Sequence, residues 1–136
     1  MPKRSHVLIV DDDVHVLGLF MRTLIRENYV VTGTTSGVDA LDLTRHFCPN
    51  VVVLDLSMPE PDGFETLKRL HSKSPELKVV VVSGAVRGTI LNAATLFGAA
   101  AALEKPVTPD LLVRTLHQVL ARDTGDELFR SSSKVG

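Results

Sequence analysis

The sequence has 136 residues, 44% of them hydrophobic but only 4% aromatic, and its 15 basic and 16 acidic residues leave a net charge of −1. That length suits a single domain whose core must be built from aliphatic side chains. The charge balance gives no electrostatic reason to expect nucleic acid or an anionic membrane as partner, and no apolar run approaches the ~20 residues of a membrane span.

The opening Met1-Pro-Lys-Arg-Ser leads only into the short run Val7 to Val10 and then three aspartates. It does not read as a signal peptide, and a cytoplasmic location is expected. His6 to Val10 is rich in β-branched residues and predicts a first strand. Val14, Leu17, Met21, Leu24 and Ile25 then recur at three and four, which predicts a helix from Val14 to Asn28 with those residues on its inner face. Asp13 suits its N-cap. Tyr29 to Thr34 predicts strand two. Ser36-Gly-Val-Asp39 resembles a weakened capping box, with Asp where Glu or Gln is preferred, and opens a helix through Val38 and Leu41 to about Phe47. The single cysteine, Cys48, excludes an internal disulfide and fits a reducing cytosol. It is expected to be a small buried filler at that helix end, before Pro49, and not a catalytic thiol.

Val51 to Leu54 predicts strand three, and Phe64, Leu67 and Leu70 mark the next helix. Val79 to Val82 is a wholly apolar strand four. Ile90 to Phe97 is a weaker, alanine-containing helix stopped by Gly98, and Ala100 to Leu103 is strand five. Thr108-Pro109-Asp110 combines a capping hydroxyl, a first-turn proline and an acid at the positive dipole end. The helix it starts runs to about Ala121, with Leu112, Leu116, Val119 and Leu120 facing inward. Asp123 to Gly136 is polar and reads as a mobile tail or the start of a linker, so the domain is expected to occupy residues 1–122. Five strands alternating with five helices imply an α/β fold with a doubly wound parallel sheet. Right-handed crossovers restrict it to a few strand orders.

Ligands of such sheets bind beyond the carboxyl ends of the strands. Strand one ends in Asp11-Asp12-Asp13, strand three in Asp55, strand four in Ser83 and strand five in Glu104-Lys105-Pro106. Carboxylates brought together there repel each other, so something positive must offset them or one must hold a proton. Lys105 supplies one charge, and an oxygen-lined acidic cup suits a hard ion such as Mg²⁺. The five histidines are scattered, so no zinc-type site is expected. His15, His46, His71 and His117 read as surface helix residues and not as phosphohistidines. A carboxylate beside a metal, a lysine and a hydroxyl is the equipment for phosphoryl transfer, the carboxylate attacking phosphorus in line.

VLIVDDD at 7–13, VVVLDLSMPEPDG at 51–63, VVVVSGA at 79–85 and LEKPVTP at 103–109 follow one another in this order. In these pieces the chain resembles the receiver domain of bacterial response regulators over roughly residues 6 to 122. The resemblance implies a flavodoxin-like sheet of strand order 2-1-3-4-5. It implies that Asp55 is the phosphoacceptor, that Asp12 and Asp55 bind Mg²⁺ directly, and that Asp11 supports the ion mainly through water. The Ser57 carbonyl would be a further metal ligand, Ser83 would hydrogen-bond the phosphoryl group, and Lys105 would pair with it. A cis peptide bond before Pro106 is implied as well. Pro59, Pro61 and Gly63 would bend the chain clear of the acceptor. The implied partners are a histidine kinase or histidine phosphotransfer protein as donor, and a downstream protein or a missing effector domain as output. No direct contact with nucleic acid or membrane is expected. The chain is expected to be a stand-alone receiver or a piece of a longer regulator or hybrid kinase, and not an enzyme beyond its own phosphorylation and dephosphorylation.

Receiver domains usually carry Tyr or Phe three residues before the lysine, and here that residue is Ala102. A methyl group has no rotamer to switch, so signalling is expected to rest on the Ser83–Gly88 loop and a weakly held fourth helix. An aspartyl-phosphate phosphatase or phosphomutase is the competing reading. Such enzymes need a second acid two residues after the nucleophile, where this chain has Ser57. A flavin-binding carrier would need a phosphate-cradling loop after strand one, where Asp11-Asp12-Asp13 would repel the phosphate.

Overall fold

The computed structural model describes residues 4–58, 63–84, 92 and 94–121. The elements in order are β1 (His6–Val10), α1 (Val14–Arg26), β2 (Val30–Thr34), α2 (Gly37–Phe47), β3 (Val51–Asp55), α3 (Gly63–Lys73), β4 (Lys78–Ser83) and β5 (Ala101–Glu104). A helix between β4 and β5, α4, is described at 92 and 94–96, and a last helix, α5, spans 109–121. Pro59, Pro61, Gly88, Ile90 and the tail from Asp123 onward lie outside the described residues. Among the described residues, no helix is long and apolar enough to cross a membrane.

The strands form one sheet of order β2-β1-β3-β4-β5, every neighbouring pair parallel. The strands explain why it is covered twice. Val7 and Ile9, Val51 and Val53, and Val80 and Val82 point to one face, where they meet Phe20, Leu24, Leu112, Leu116 and Val119 of α1 and α5. Leu8 and Val10, Val52 and Leu54, and Val79 and Val81 point to the other face, toward Ala40, Leu67, Leu70 and Ala94 of α2, α3 and α4. Side chains alternate with a period of two, so a strand with both faces buried has no place for a polar residue. Each fully buried leucine or valine is worth about 1.5–3 kcal/mol.

The helix starts follow the expected chemistry. Asp13 caps α1, its Oδ1 accepting from His15 N and Val16 N, and these bonds hold its carboxyl below the usual range, Val16 first. Ser36 Oγ accepts from Asp39 N at α2, but the reciprocal bond comes from Thr34, whose Oγ1 accepts from Ser36 N. Thr108 Oγ1 accepts from Leu111 N in the first turn of α5.

Two expectations are corrected. Val14 and Ile25 are 62% and 57% exposed, and the inner face of α1 is instead centred on Phe20 and Leu24. On α2, Ala40 and Thr44 fill the inner face, and Val38 is exposed. Cys48 is exposed, not buried. It is the C-cap of α2 in the left-handed region at φ 48, a backbone that turns its side chain away from the core.

Candidate functional site

The adjacent strands β1, β3, β4 and β5 deliver the site to one edge of the sheet. Asp11 is the first residue past β1, and its N–H still donates to Thr34 O at 3.1 Å. Asp55 is the last residue of β3 and stands opposite Val82 in the register. Ser83 ends β4, and its carbonyl accepts from Lys105 N at 2.9 Å, so the lysine is fixed as a continuation of β5. Ladder bonds thus set each backbone before any side chain is placed.

Asp11 and Asp55 are each 2% exposed, whereas Asp12 is exposed. Carboxylate oxygens of the three lie within 4.8 Å of one another. The two buried carboxylates are held alike. Asp11 Oδ1 accepts from Asp13 N at 2.9 Å, and Asp55 Oδ1 accepts from Ser57 N at 2.8 Å. Each is a side chain bonded to the amide two residues on, a turn geometry that orients the carboxylate without using its second oxygen. That second oxygen meets the lysine in both cases, Lys105 Nζ lying 3.3 Å from Asp11 Oδ2 and 3.3 Å from Asp55 Oδ2. The Lys105–Pro106 peptide bond is cis, as the resemblance implies.

The electrostatics follow from this crowding. Burial raises the Asp11 carboxyl above its ordinary value, the Asp13 amide opposes this, and the neighbouring Asp55 charge adds to it. Burial pulls the Lys105 ammonium down, but the charges of Asp11 and Asp55 outweigh it and lift the lysine above its usual range. Lys105 is therefore a fixed cation here and not a proton acceptor.

The structure brings Asp11, Asp12, Asp55 and Lys105 together, with Ser83 on the adjoining strand end. Asp13 is drawn off into the helix cap. Ser57 reaches the site through its amide and, less expectedly, sends its hydroxyl to Gly84, whose N–H donates to Oγ at 3.4 Å. Sequence places Gly84 only within the Ser83–Gly88 loop and carries no sign of this contact. The donor set fits a hard divalent ion, being made of carboxylate oxygens without nitrogen or sulfur. A groove of about 660 Å³ between α2 and α3, floored by Leu41, Leu70 and Leu77, includes none of these residues.

The family described as the response regulator receiver domain matches residues 7–117. The response regulator MprA of Mycobacterium sp. (strain KMS) is 35% identical over 127 residues, which cover 93% of this chain and 54% of that protein. The chain thus spans about half the length of this relative. The chemotaxis protein CheY of Thermotoga maritima is 29% identical over 85% of this chain and 97% of its own. A CheY-like response regulator receiver domain protein from Methanospirillum hungatei JF-1 superposes with a TM-score of 0.86 at 26% identity, covering 91% of this chain and 99% of that one. Strand order, acidic cluster and family match agree, and the chain belongs to the response regulator receiver domains of two-component systems.

Proposed function

We propose that Asp55 accepts a phosphoryl group from a phosphohistidine, on a histidine kinase or a phosphotransfer protein, and that the product alters a surface read by a downstream protein or effector domain. In the transfer a carboxylate oxygen of Asp55 forms a bond to phosphorus, the bond from phosphorus to the donor nitrogen breaks, and its electron pair returns to the imidazole. Mg²⁺ held by Asp11, Asp12, Asp55 and the Ser57 carbonyl would neutralise charge on the transferring group. The chain's own residues do the rest. The ladder and the Ser57 amide hold the Asp55 carboxylate still, which is worth much of the barrier in a reaction that depends on positioning. Lys105, held protonated, moves from bridging two carboxylates to pairing with a phosphoryl oxygen, and the Ser83 hydroxyl donates to another.

The observation that carries this reading is the lysine bridge, which joins residues 94 and 50 positions apart in the chain. So placed, the cation offsets the resting charge and is ready for a more negative group. A domain boundary near residue 122, a cytoplasmic location and the absence of a separate substrate belong to the same reading. The phosphatase alternative requires an acid where Ser57 stands, and the Ser57 hydroxyl is an acceptor there.

The test is incubation with Mg²⁺ and acetyl phosphate, followed by intact mass and peptide mapping. One phosphoryl group per chain is expected, on Asp55, and none in Asp55→Asn. Uptake by Asp55→Asn at the wild-type level, or continuous turnover of unrelated phosphate esters, would overturn the proposal.

A further inference from the structure

The groove between α2 and α3 holds about 660 Å³, within the range of roughly 300–1,000 Å³ usual for small-molecule sites. Thr44 lines it and is only 8% exposed. Its hydroxyl has no hydrogen-bond partner among the described residues. A threonine inside a helix can bond the carbonyl one turn earlier, and this one does not. The wall of the groove is therefore short of one acceptor.

Cys48 follows one turn later on the same wall, its N–H donating to Thr44 O at 2.9 Å. It carries the chain's single thiol, which is exposed and makes only a weak sulfur contact to Arg45 O at 3.6 Å. Side chains four apart on a helix stand ~5–6 Å apart at Cβ, so one small molecule can reach both groups. Leu41, Leu70 and Leu77 give that molecule an apolar floor. The charges around the groove cancel, Asp42 and Glu76 against Arg45 and Lys73, and Asp42 already pairs with Arg45 at 2.9 Å. Neither an anion nor a cation is favoured, and a neutral ligand is. Its tail must suit the leucines, its oxygen the Thr44 hydroxyl, and its reactive carbon the Cys48 thiol.

We propose that this groove is a covalent site for neutral α,β-unsaturated ketones or aldehydes that carry an apolar tail. The Cys48 thiolate forms a bond from Sγ to the ligand's β-carbon, and the C=C electron pair moves to the carbonyl as an enolate. The ligand's α-carbon then takes up the proton that the thiol lost. Nothing leaves and no oxidant is needed. The Thr44 hydroxyl donates to the carbonyl oxygen as negative charge builds there, and the leucine floor raises the reaction rate by holding the tail in place. The site shares no residue with the acidic cluster and does not depend on the role of Asp55.

Two enones with the same reacting group and different tails, 3-penten-2-one and 3-nonen-2-one, test this on the intact chain by mass spectrometry, with glutathione as the free-thiol reference. An adduct is expected on Cys48 and none in Cys48→Ser. The preference for the long enone is expected to be about tenfold greater at Cys48 than at glutathione, because part of the added tail is buried. Saturating 2-nonanone, which has the tail and carbonyl but no electrophilic alkene carbon, should abolish that preference. Thr44→Val is expected to slow the long enone about fivefold, the size of one hydrogen bond, with no loss of thermal stability, because it removes a buried unpaired hydroxyl. A tail preference equal to that of glutathione, with no protection by 2-nonanone, would show an exposed thiol reacting alone and overturns the site. Thr44→Val reacting at the wild-type rate overturns the assignment to a carbonyl ligand. Labelling by excess long enone that slows as protein concentration rises would place a second copy in the groove and overturns the small-molecule site.

Discussion

Gly63, the first residue of α3, lies so close to the backbone of Asp55 that a Cβ on it would stand 2.6 Å from the Asp55 carbonyl oxygen. Leu56 Cα is nearer still. The helix that follows β3 thus packs directly on the peptide of Asp55 itself. What an added methyl would meet is backbone, so no rotamer change relieves it, and either the end of β3 or the start of α3 must move.

Gly63→Ala is therefore expected to lose stability by about 1–3 kcal/mol, the usual range for overpacking. Because the shift falls on Asp55, acetyl phosphate labelling should fall as well, even under conditions where the variant is fully folded. Urea denaturation and labelling measured on the same preparation separate the two effects. Wild-type stability in this variant would contradict the contact.

Lys105 supports a second prediction. Lys105→Met keeps the alkyl stem and removes the charge that stands between Asp11 and Asp55. Two bare carboxylates at such range repel by roughly 4 kcal/mol at an effective dielectric of 20. The lysine side chain is 24% exposed, so solvent screens part of this. A loss of about 1–2 kcal/mol is expected without magnesium. Magnesium should then stabilise the variant more than wild type, because in the variant the ion relieves repulsion that no lysine offsets. Thermal unfolding with and without saturating magnesium measures the difference, and equal gains in the two proteins would refute it.

The strands and the site residues were legible for one shared reason. A central strand buried on both faces admits no polar side chain, so the first carboxylate or hydroxyl after Val10, Leu54 or Val82 marks both the strand end and the site. The inner face of α1 was less legible. Val14 and Ile25 share the spacing of Leu17, Met21 and Leu24, so two overlapping apolar faces fit the sequence, and only packing between α1 and its neighbours selects Phe20. The left-handed backbone at Cys48 had no signal, because Gly or Asn is the usual occupant of such a cap. The Ser57–Gly84 contact depends on the paths of two loops, and periodicity does not encode those.

A third prediction concerns the attachment of α4 to α3. Gly98 has φ 101, and a Cβ there would lie 2.7 Å from His71 Cε1. Close by, Phe97 meets Phe64 edge-on with centroids 6.0 Å apart, and Lys68 Nζ lies 5.2 Å from the Phe97 ring centre. Gly98→Ala should therefore cost on two counts, roughly 1–2 kcal/mol for the left-handed backbone and a further amount for the collision with the ring. Adding His71→Ala removes the collision and leaves the backbone cost. The double variant should be more stable than the sum of the single changes implies, by an amount within the usual coupling range of about 0.5–3 kcal/mol. Simple additivity in urea denaturation would show that the ring and the glycine do not touch.

The last prediction is a pH dependence at the far end of the sheet. His6 opens β1; its Nε2 lies 2.7 Å from Thr32 Oγ1, and its ring stands edge-on to Phe47 at 5.7 Å. Burial lowers its pKa below the ordinary 6.5, since the charged ring loses hydration that neither the hydroxyl nor the phenyl ring replaces. A base with a depressed folded pKa binds protons more readily when unfolded. Stability is therefore flat above the unfolded value and falls as pH drops from about 6.5 toward the folded value. Carboxylates elsewhere also titrate at lower pH, so the histidine is isolated by comparison. Between about pH 7.5 and about pH 5.5, wild type should lose more stability than His6→Gln, which keeps a polar side chain but does not titrate. Parallel losses in the two proteins would mean that the ring is as well hydrated in the fold as outside it.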